Sequence, residues 1–124
     1  MIILDTSIWI EFLKQNLDYF EKIKDLLESQ KVLAVECIFA ELLQGARDES
    51  ERTIIESYWE NLPKSVHENI WIQAGKYSSE YKLVSKGVGI IDTVILLSAR
   101  FSGAKLYTLD KKLIALLDEN EVFE

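Results

Sequence analysis

The chain has 124 residues, of which 48% are hydrophobic and 28% are charged, and its formal net charge is -7. This composition predicts a single domain over residues 1–124, and the acid excess argues against strong binding to bulk nucleic acid, which depends on Lys and Arg. No apolar run approaches the roughly 20 residues that a membrane span needs, so we expect a soluble, cytoplasmic protein without a membrane partner.

Short apolar runs predict four strands, at residues 2–4, 32–35, 106–109 and 122–123. Their continuous apolar character is typical of strands that are covered on both faces, as in a parallel sheet. The single cysteine lies among apolar residues, where we expect a small buried side chain.

Apolar residues recur at helical spacing between these runs. The pattern predicts a helix from near Ile8, helices over 17–27, 36–45 and 54–62, and a long helix from after Pro63 to near Gly87 and Gly89. Residues 91–101 are apolar almost all round and predict a buried helix that ends at Gly103. Alternating strands and helices predict an α/β fold with a mostly parallel sheet, in which ligands bind beyond the carboxyl ends of the strands.

Two aspartates directly follow predicted strands. Asp5 comes after the first strand and precedes Thr6 and Ser7, and Asp110 ends the run that contains Thr108. The carboxyl edge of the sheet is a favoured place for chemistry, but an aspartate at the start of a helix or turn also caps backbone amides. The position alone leaves both roles open.

Two further acids lie on predicted helices. Glu41 falls on the margin of the apolar face of its helix, where its side chain can also reach solvent. Asp92 opens the most apolar helix, where it is either a cap or a ligand at a pocket floor. An α/β fold can bring these four acids together, and clustered carboxylates require protons or cations. Oxygen ligands favour Mg²⁺ or Mn²⁺, and the near absence of His and Cys argues against zinc.

At these residues the sequence resembles the PIN-domain family, and specifically the VapC-type toxins of toxin-antitoxin pairs. The resemblance spans nearly the whole chain and is carried by four segments: ILDTSIWI at 3–10, AELLQG at 40–45, DTVILLSAR at 92–100 with Gly103-Ala104, and LYTLD at 106–110. Many relatives carry a second acid and a Phe just after the fourth aspartate, where this chain has Lys111, Lys112 and Leu113.

The resemblance implies a three-layer sandwich, in which helices flank a mostly parallel central sheet, and a metal-dependent endoribonuclease that hydrolyses RNA such as transfer or ribosomal RNA. It also implies a homodimer and a cognate antitoxin. By this analogy and by charge geometry, the catalytic and metal-binding residues are Asp5, Glu41, Asp92 and Asp110, with Mg²⁺ or Mn²⁺ as the cofactor. Hydroxyl groups are expected to support them, from Thr6, Ser7 and Thr108.

Other side chains receive weaker assignments. Basic residues that are candidate phosphate contacts, or simply solvated charges, are Lys14, Arg47, Lys86, Arg100, Lys111 and Lys112. The three Trp residues are interpreted as packing residues, and His67 as structural.

Two alternatives from other functional classes stay open, a phosphoacceptor receiver-like signalling domain and a non-catalytic PIN-like interaction module. The receiver reading fits less well, because Asp5 stands alone after the first strand.

Overall fold

Three parallel strands form the sheet of the computed structural model, which describes residues 1–124. They are β1 (Ile2–Leu4), β2 (Val32–Leu33) and β3 (Lys105–Tyr107), in the order β2-β1-β3. In the register, Ile2 faces Val32 on one side and Lys105 on the other. The central strand β1 is buried at every residue, which explains its continuous apolar run.

Seven helices flank this sheet. In chain order they are α1 (Thr6–Leu13), α2 (Leu17–Glu28), α3 (Glu36–Gln44), α4 (Glu49–Asn61), α5 (Ile70–Tyr81), α6 (Ile90–Ser102) and α7 (Lys111–Ile114). Short 3-10 turns lie at Val84–Lys86 and Glu119–Glu121. The predicted α/β class with a parallel sheet is therefore confirmed. No helix combines the length and the apolar character that crossing a membrane requires.

Helix α6 is the most buried helix, as its sequence predicts. Every residue from 93 to 99 is buried, and the helix packs mainly against α5. It ends at Gly103, whose φ of 65° lies in the left-handed region that glycine adopts without steric cost. A core of 27 buried apolar side chains surrounds the sheet, and α6 contributes Val94, Ile95, Leu96, Leu97 and Ala99 to it.

The long helix predicted after Pro63 is shorter than expected. The Pro63 carbonyl accepts a hydrogen bond from the Ala34 amide, and the Ser65 amide donates to the Ala34 carbonyl, both at 2.8 Å. This pairing holds residues 63–65 extended beside the end of β2, so α5 starts only at Ile70. It ends at Tyr81, because Lys82 adopts a left-handed conformation with φ of 56°.

Three strand predictions also need correction. The strand predicted at 106–109 runs over Lys105–Tyr107 instead. The run at 32–35 is a strand only over Val32–Leu33, since Ala34 pairs with residue 64 instead. Residues 122–123 form no strand; Val122 makes one isolated parallel bridge to Leu106, and the Phe123 amide donates to the Leu106 carbonyl at 3.0 Å. A single bridge is what so short a segment can form beside β3.

Candidate active site

Asp5 leaves the central strand and begins α1, where it is 5% exposed. Its Oδ1 accepts hydrogen bonds from the Ile8 amide at 3.1 Å and from the Ser7 hydroxyl at 2.5 Å, and its Oδ2 accepts one from the Thr108 hydroxyl. Burial raises the pKa of Asp5 despite these hydrogen bonds. Asp5 is therefore a helix cap and, at the same time, a buried carboxylate at the carboxyl edge of the sheet.

The end of β3 is tied to Asp5 by two hydroxyl groups. The Thr108 hydroxyl donates to Asp5 and accepts from the Asp110 amide at 3.0 Å. The Ser7 hydroxyl likewise donates to Asp5 and accepts from the Leu109 amide at 3.2 Å. Because each hydroxyl joins a carboxylate oxygen to a backbone amide, the two strand ends are held in one arrangement.

Glu41 lies on α3, which packs against α1. Its Oε1 accepts a hydrogen bond of 2.7 Å from the Thr6 hydroxyl, and its side chain is half-buried. The position on the margin of the apolar face thus directs Glu41 toward the first residues of α1 rather than outward.

Asp92 occupies the first turn of α6, but it does not cap the helix. The capping residue is Gly89, and the Asp92 carboxylate makes no hydrogen bond within the protein. Burial raises the pKa of Asp92 most, followed by the negative charges of Asp110, Glu41 and Asp5. The absence of a capping bond and the influence of three other acids both favour a role that is not purely structural.

Asp110 follows β3 and caps α7 by accepting a hydrogen bond of 2.8 Å from the Lys112 amide. It is half-buried, and its charge is the largest electrostatic contribution to the raised pKa of Asp92. The charges of Asp5, Glu41 and Asp110 therefore all act on Asp92, although Asp5 and Asp110 also serve as caps.

The donor set suits a hard divalent cation, because all four groups are carboxylates. No three acidic side chains are, however, arranged around one point where an ion could sit. The hydrogen bonds from Thr6, Ser7 and Thr108 direct Asp5 and Glu41 oxygens toward hydroxyl groups instead. The residues fit such an ion in chemistry, and binding would require side chains to reorient.

Cys37 lies near two of these acids, Glu41 and Asp92, although the residues beside it in sequence are mostly apolar. Its thiol is buried, and burial together with the charges of Glu41 and Asp92 raises its pKa to about 12. The thiol therefore stays protonated at neutral pH, which agrees with the expected role of a small buried side chain. Its i, i+4 relation to Glu41 on α3 was the available signal for its nearness to the acids.

Three of the six candidate phosphate contacts are engaged elsewhere, so they are weak candidates. Arg100 donates to Glu121, to the Tyr77 hydroxyl and to a backbone carbonyl, in a half-buried network. Arg47 pairs with Glu51 at 2.7 Å, and Lys14 lies 3.4 Å from Glu11. Lys86, Lys111 and Lys112 are exposed and form no ion pair within 4.0 Å.

The interpretation of the Trp residues as packing residues holds for two of the three. Trp9 is buried against aromatic rings and Trp59 is half-buried, whereas Trp71 is 49% exposed. His67 joins the hydroxyls of Ser65 and Ser102 at 3.2 and 3.1 Å, away from the acids, as expected for a structural residue.

The charges of Asp5, Glu41 and Asp110 act on Asp92 beside the carboxyl edge of a parallel sheet, which is where α/β folds bind ligands. The sequence model of the PIN domain family matches residues 2–118, so the chain belongs to that family. PIN domains are in general metal-dependent nucleases. This membership argues against the receiver-like alternative.

A solved structure shares this fold. The crystal structure of FitAcB from Neisseria gonorrhoeae is 19% identical to the chain, covers 98% of it and 94% of its own length, and superimposes with a TM-score of 0.59. No curated protein sequence matches the chain.

Proposed function

We propose that this protein is an Mg²⁺- or Mn²⁺-dependent endoribonuclease that hydrolyses phosphodiester bonds in RNA. The observation that carries the proposal is the placement of four acids in a domain of the PIN family, where Asp5 ends β1, Asp110 follows β3, and Glu41 on α3 and Asp92 on α6 lie within reach of their charges. Clustered carboxylates are stabilised by bound cations, and PIN domains are in general metal-dependent nucleases.

The four acids would hold the ion. Asp5 and Asp92 would be the main metal ligands, and Glu41 and Asp110 would complete the pocket. A divalent ion held there would polarise the scissile phosphate and lower the pKa of the attacking water. The hydroxyls of Ser7 and Thr108 donate to Asp5, and that of Thr6 donates to Glu41, so these side chains would reorient together with the carboxylates when an ion binds.

The test is RNA cleavage by the purified protein. We expect cleavage of structured RNA in Mn²⁺ or Mg²⁺ and none in EDTA, because every proposed ligand is a hard oxygen. An Asp18→Asn variant, altered at an exposed aspartate on α2, serves as the control and should cleave like the wild type. Undiminished cleavage in chelator would contradict the metal mechanism. Absence of cleavage in any metal would favour the non-catalytic interaction module.

The resemblance to VapC-type toxins further supports a cytoplasmic toxin that forms a homodimer and binds a cognate antitoxin. An arginine side chain from such an antitoxin suits the acidic cluster, since guanidinium pairs bidentately with carboxylate. Transfer or ribosomal RNA is the proposed substrate class. Co-expression with the neighbouring gene and purification at micromolar concentration should yield a complex. A monomer that purifies alone would count against the partner and the dimer.

A further inference from the structure

The lysine at position 112 lies at the edge of the acidic cluster. It is the second residue of α7, and its amide donates to the Asp110 carboxylate at 2.8 Å. One of the four acids therefore fixes the backbone from which the Lys112 side chain extends. The side chain itself is exposed to solvent.

The Lys112 side chain runs along the loop that leads into α6. A Cβ atom placed on Gly87 would lie 3.0 Å from the lysine Nζ and 3.2 Å from its Cδ and Cε. Gly87 has φ of +79°, a conformation that glycine adopts readily, and its missing side chain leaves this path open. The ammonium is thereby held near the start of the helix that carries Asp92.

The Lys112 ammonium is close to the acids without being paired to one. The Lys112 backbone amide is bound by Asp110, and its Nζ lies beside Gly87 in the loop just before α6. Yet no carboxylate lies within 4.0 Å of its Nζ, since the ion pairs of the protein involve Lys14, Arg47 and Arg100. A lysine that only neutralised an acid would be expected to contact it. Here the ammonium keeps its donors free toward solvent.

A free positive charge beside the acids offsets their repulsion of a polyanion. The net charge is -7, and the four acids repel a polyanion from the place where it would react. An ammonium is a compact point charge with three donors that bind phosphate oxygens.

We propose that Lys112 is a substrate-binding residue that contacts a backbone phosphate of RNA beside the acidic cluster. The proposal rests on the nuclease function given above. Lys112 takes no part in proton transfer and holds the strand against the repulsion of the acids. Loss of its charge should therefore weaken binding of the substrate and leave the chemical step intact.

The experiment compares Lys112→Gln and Lys112→Arg with Lys105→Gln. Lys105 is an exposed lysine without an ion pair at the amino end of β3, the opposite edge of the sheet from the acids, so its variant matches the charge change. Cleavage of a fluorescein-labelled RNA stem-loop is measured in Mn²⁺ at several salt concentrations. One lost contact to a single-stranded phosphate lowers the salt slope of log affinity by about 0.7, which is about fivefold at 0.1 M salt.

We expect Lys112→Gln to raise KM about fivefold with kcat unchanged, and to lower the salt slope by about 0.7. Lys112→Arg should restore both values, and Lys105→Gln should match the wild type. If Lys112→Gln leaves KM and the salt slope unchanged while the wild type cleaves RNA, the proposal is overturned. If Lys112→Gln leaves KM and the salt slope unchanged but binds Mn²⁺ more tightly, the only role of Lys112 is to balance the charge of the acids.

Failure of the nuclease function gives a different result. In that case the wild type does not cleave the stem-loop, and fluorescence anisotropy of the same RNA decides the role of Lys112. A loss of affinity in Lys112→Gln but not in Lys105→Gln supports it. Equal affinities, or no binding by the wild type, overturn it.

Discussion

Replacing Asp92 by Asn tests whether the four carboxylates act on one another. At neutral pH the ionised Asp92 side chain is destabilised by burial and by the charges of Asp110, Glu41 and Asp5. Asparagine has nearly the same shape and no charge. Since the Asp92 carboxylate makes no hydrogen bond that caps α6, its replacement removes no such bond. We therefore expect the variant to be more stable than the wild type in EDTA.

The size of this effect follows from two opposing contributions. Two unit charges 4 Å apart repel by about 4 kcal/mol at an effective dielectric of 20. Asp92 is half-buried and Lys112 lies nearby, so solvent and this cation reduce the relief to about 1–2 kcal/mol. Against this, a negative charge in the first turn of a helix gains about 0.3–1 kcal/mol from the helix dipole. The net gain is about 1 kcal/mol, so the melting temperature should rise by roughly 3–5 °C.

The pH dependence of this difference has a definite sign. Because the pKa of Asp92 is raised in the folded state, folding favours the protonated carboxyl. Its contribution to stability is therefore present below the ordinary value of 3.8 and is lost as pH rises through the raised value. The advantage of Asp92→Asn should be largest at neutral pH and should disappear as pH falls toward 3.8.

Thermal melting with and without Mn²⁺, at neutral pH and near pH 3.8, measures these changes in stability. RNA cleavage is assayed separately. The wild type should gain stability from Mn²⁺, as binding to the folded state requires, and the variant should gain less and cleave no RNA. Asp18→Asn is the matched control, because Asp18 lies in the first turn of α2 and is exposed. It should melt no higher than the wild type. An Asp92→Asn protein that melts at or below the wild type in EDTA and keeps the full Mn²⁺ shift would refute the reasoning.

The buried groups around the acids yield two further expectations. Thr108→Val removes the hydroxyl that donates to Asp5 and should lower the free energy of urea unfolding by about 1–3 kcal/mol. The control Thr53→Val, on the exposed face of α4, should change this free energy little. Equal effects of the two variants would mean that the hydrogen bond to Asp5 contributes nothing. With a pKa of about 12, Cys37 should react with iodoacetamide at pH 8 about a thousandfold more slowly than an ordinary thiol. In the unfolded protein it should react at the rate of an ordinary thiol. A folded-state rate like that of glutathione would contradict this pKa.

Local sequence predicted the elements whose own residues determine them. Helix α6 is apolar all round and ends at a glycine, and both features act within the helix. The start of α5 was mispredicted, because residues 63–65 pair with Ala34 from a distant part of the chain. Periodicity through Val66 and Val84 could not reveal that pairing, and both side chains are exposed outside the helix.

The acids followed a similar rule. Their placement after strands and on helix margins predicted their approach, because parallel strands share a carboxyl edge. Local sequence did not decide between capping and ligation: Asp5 and Asp110 do cap helices, whereas Asp92 does not. The ion pair between Arg100 and Glu121 could not be predicted from local sequence either, because it depends on how residues near Glu121 fold back onto α6.

The pairing of β1 with β3 has a consequence for synthesis of the protein. Asp5 and Thr108 are hydrogen-bonded although they are 103 residues apart in sequence. A nascent chain that has not yet reached Lys105 already contains Asp5, Glu41 and Asp92, but it lacks the strand and the hydroxyl that complete the carboxyl edge. Contacts between such distant residues also form late in folding, because closing a long loop costs entropy first. The acidic cluster therefore cannot be completed in a ribosome-bound chain before residues 105–110 have been synthesised.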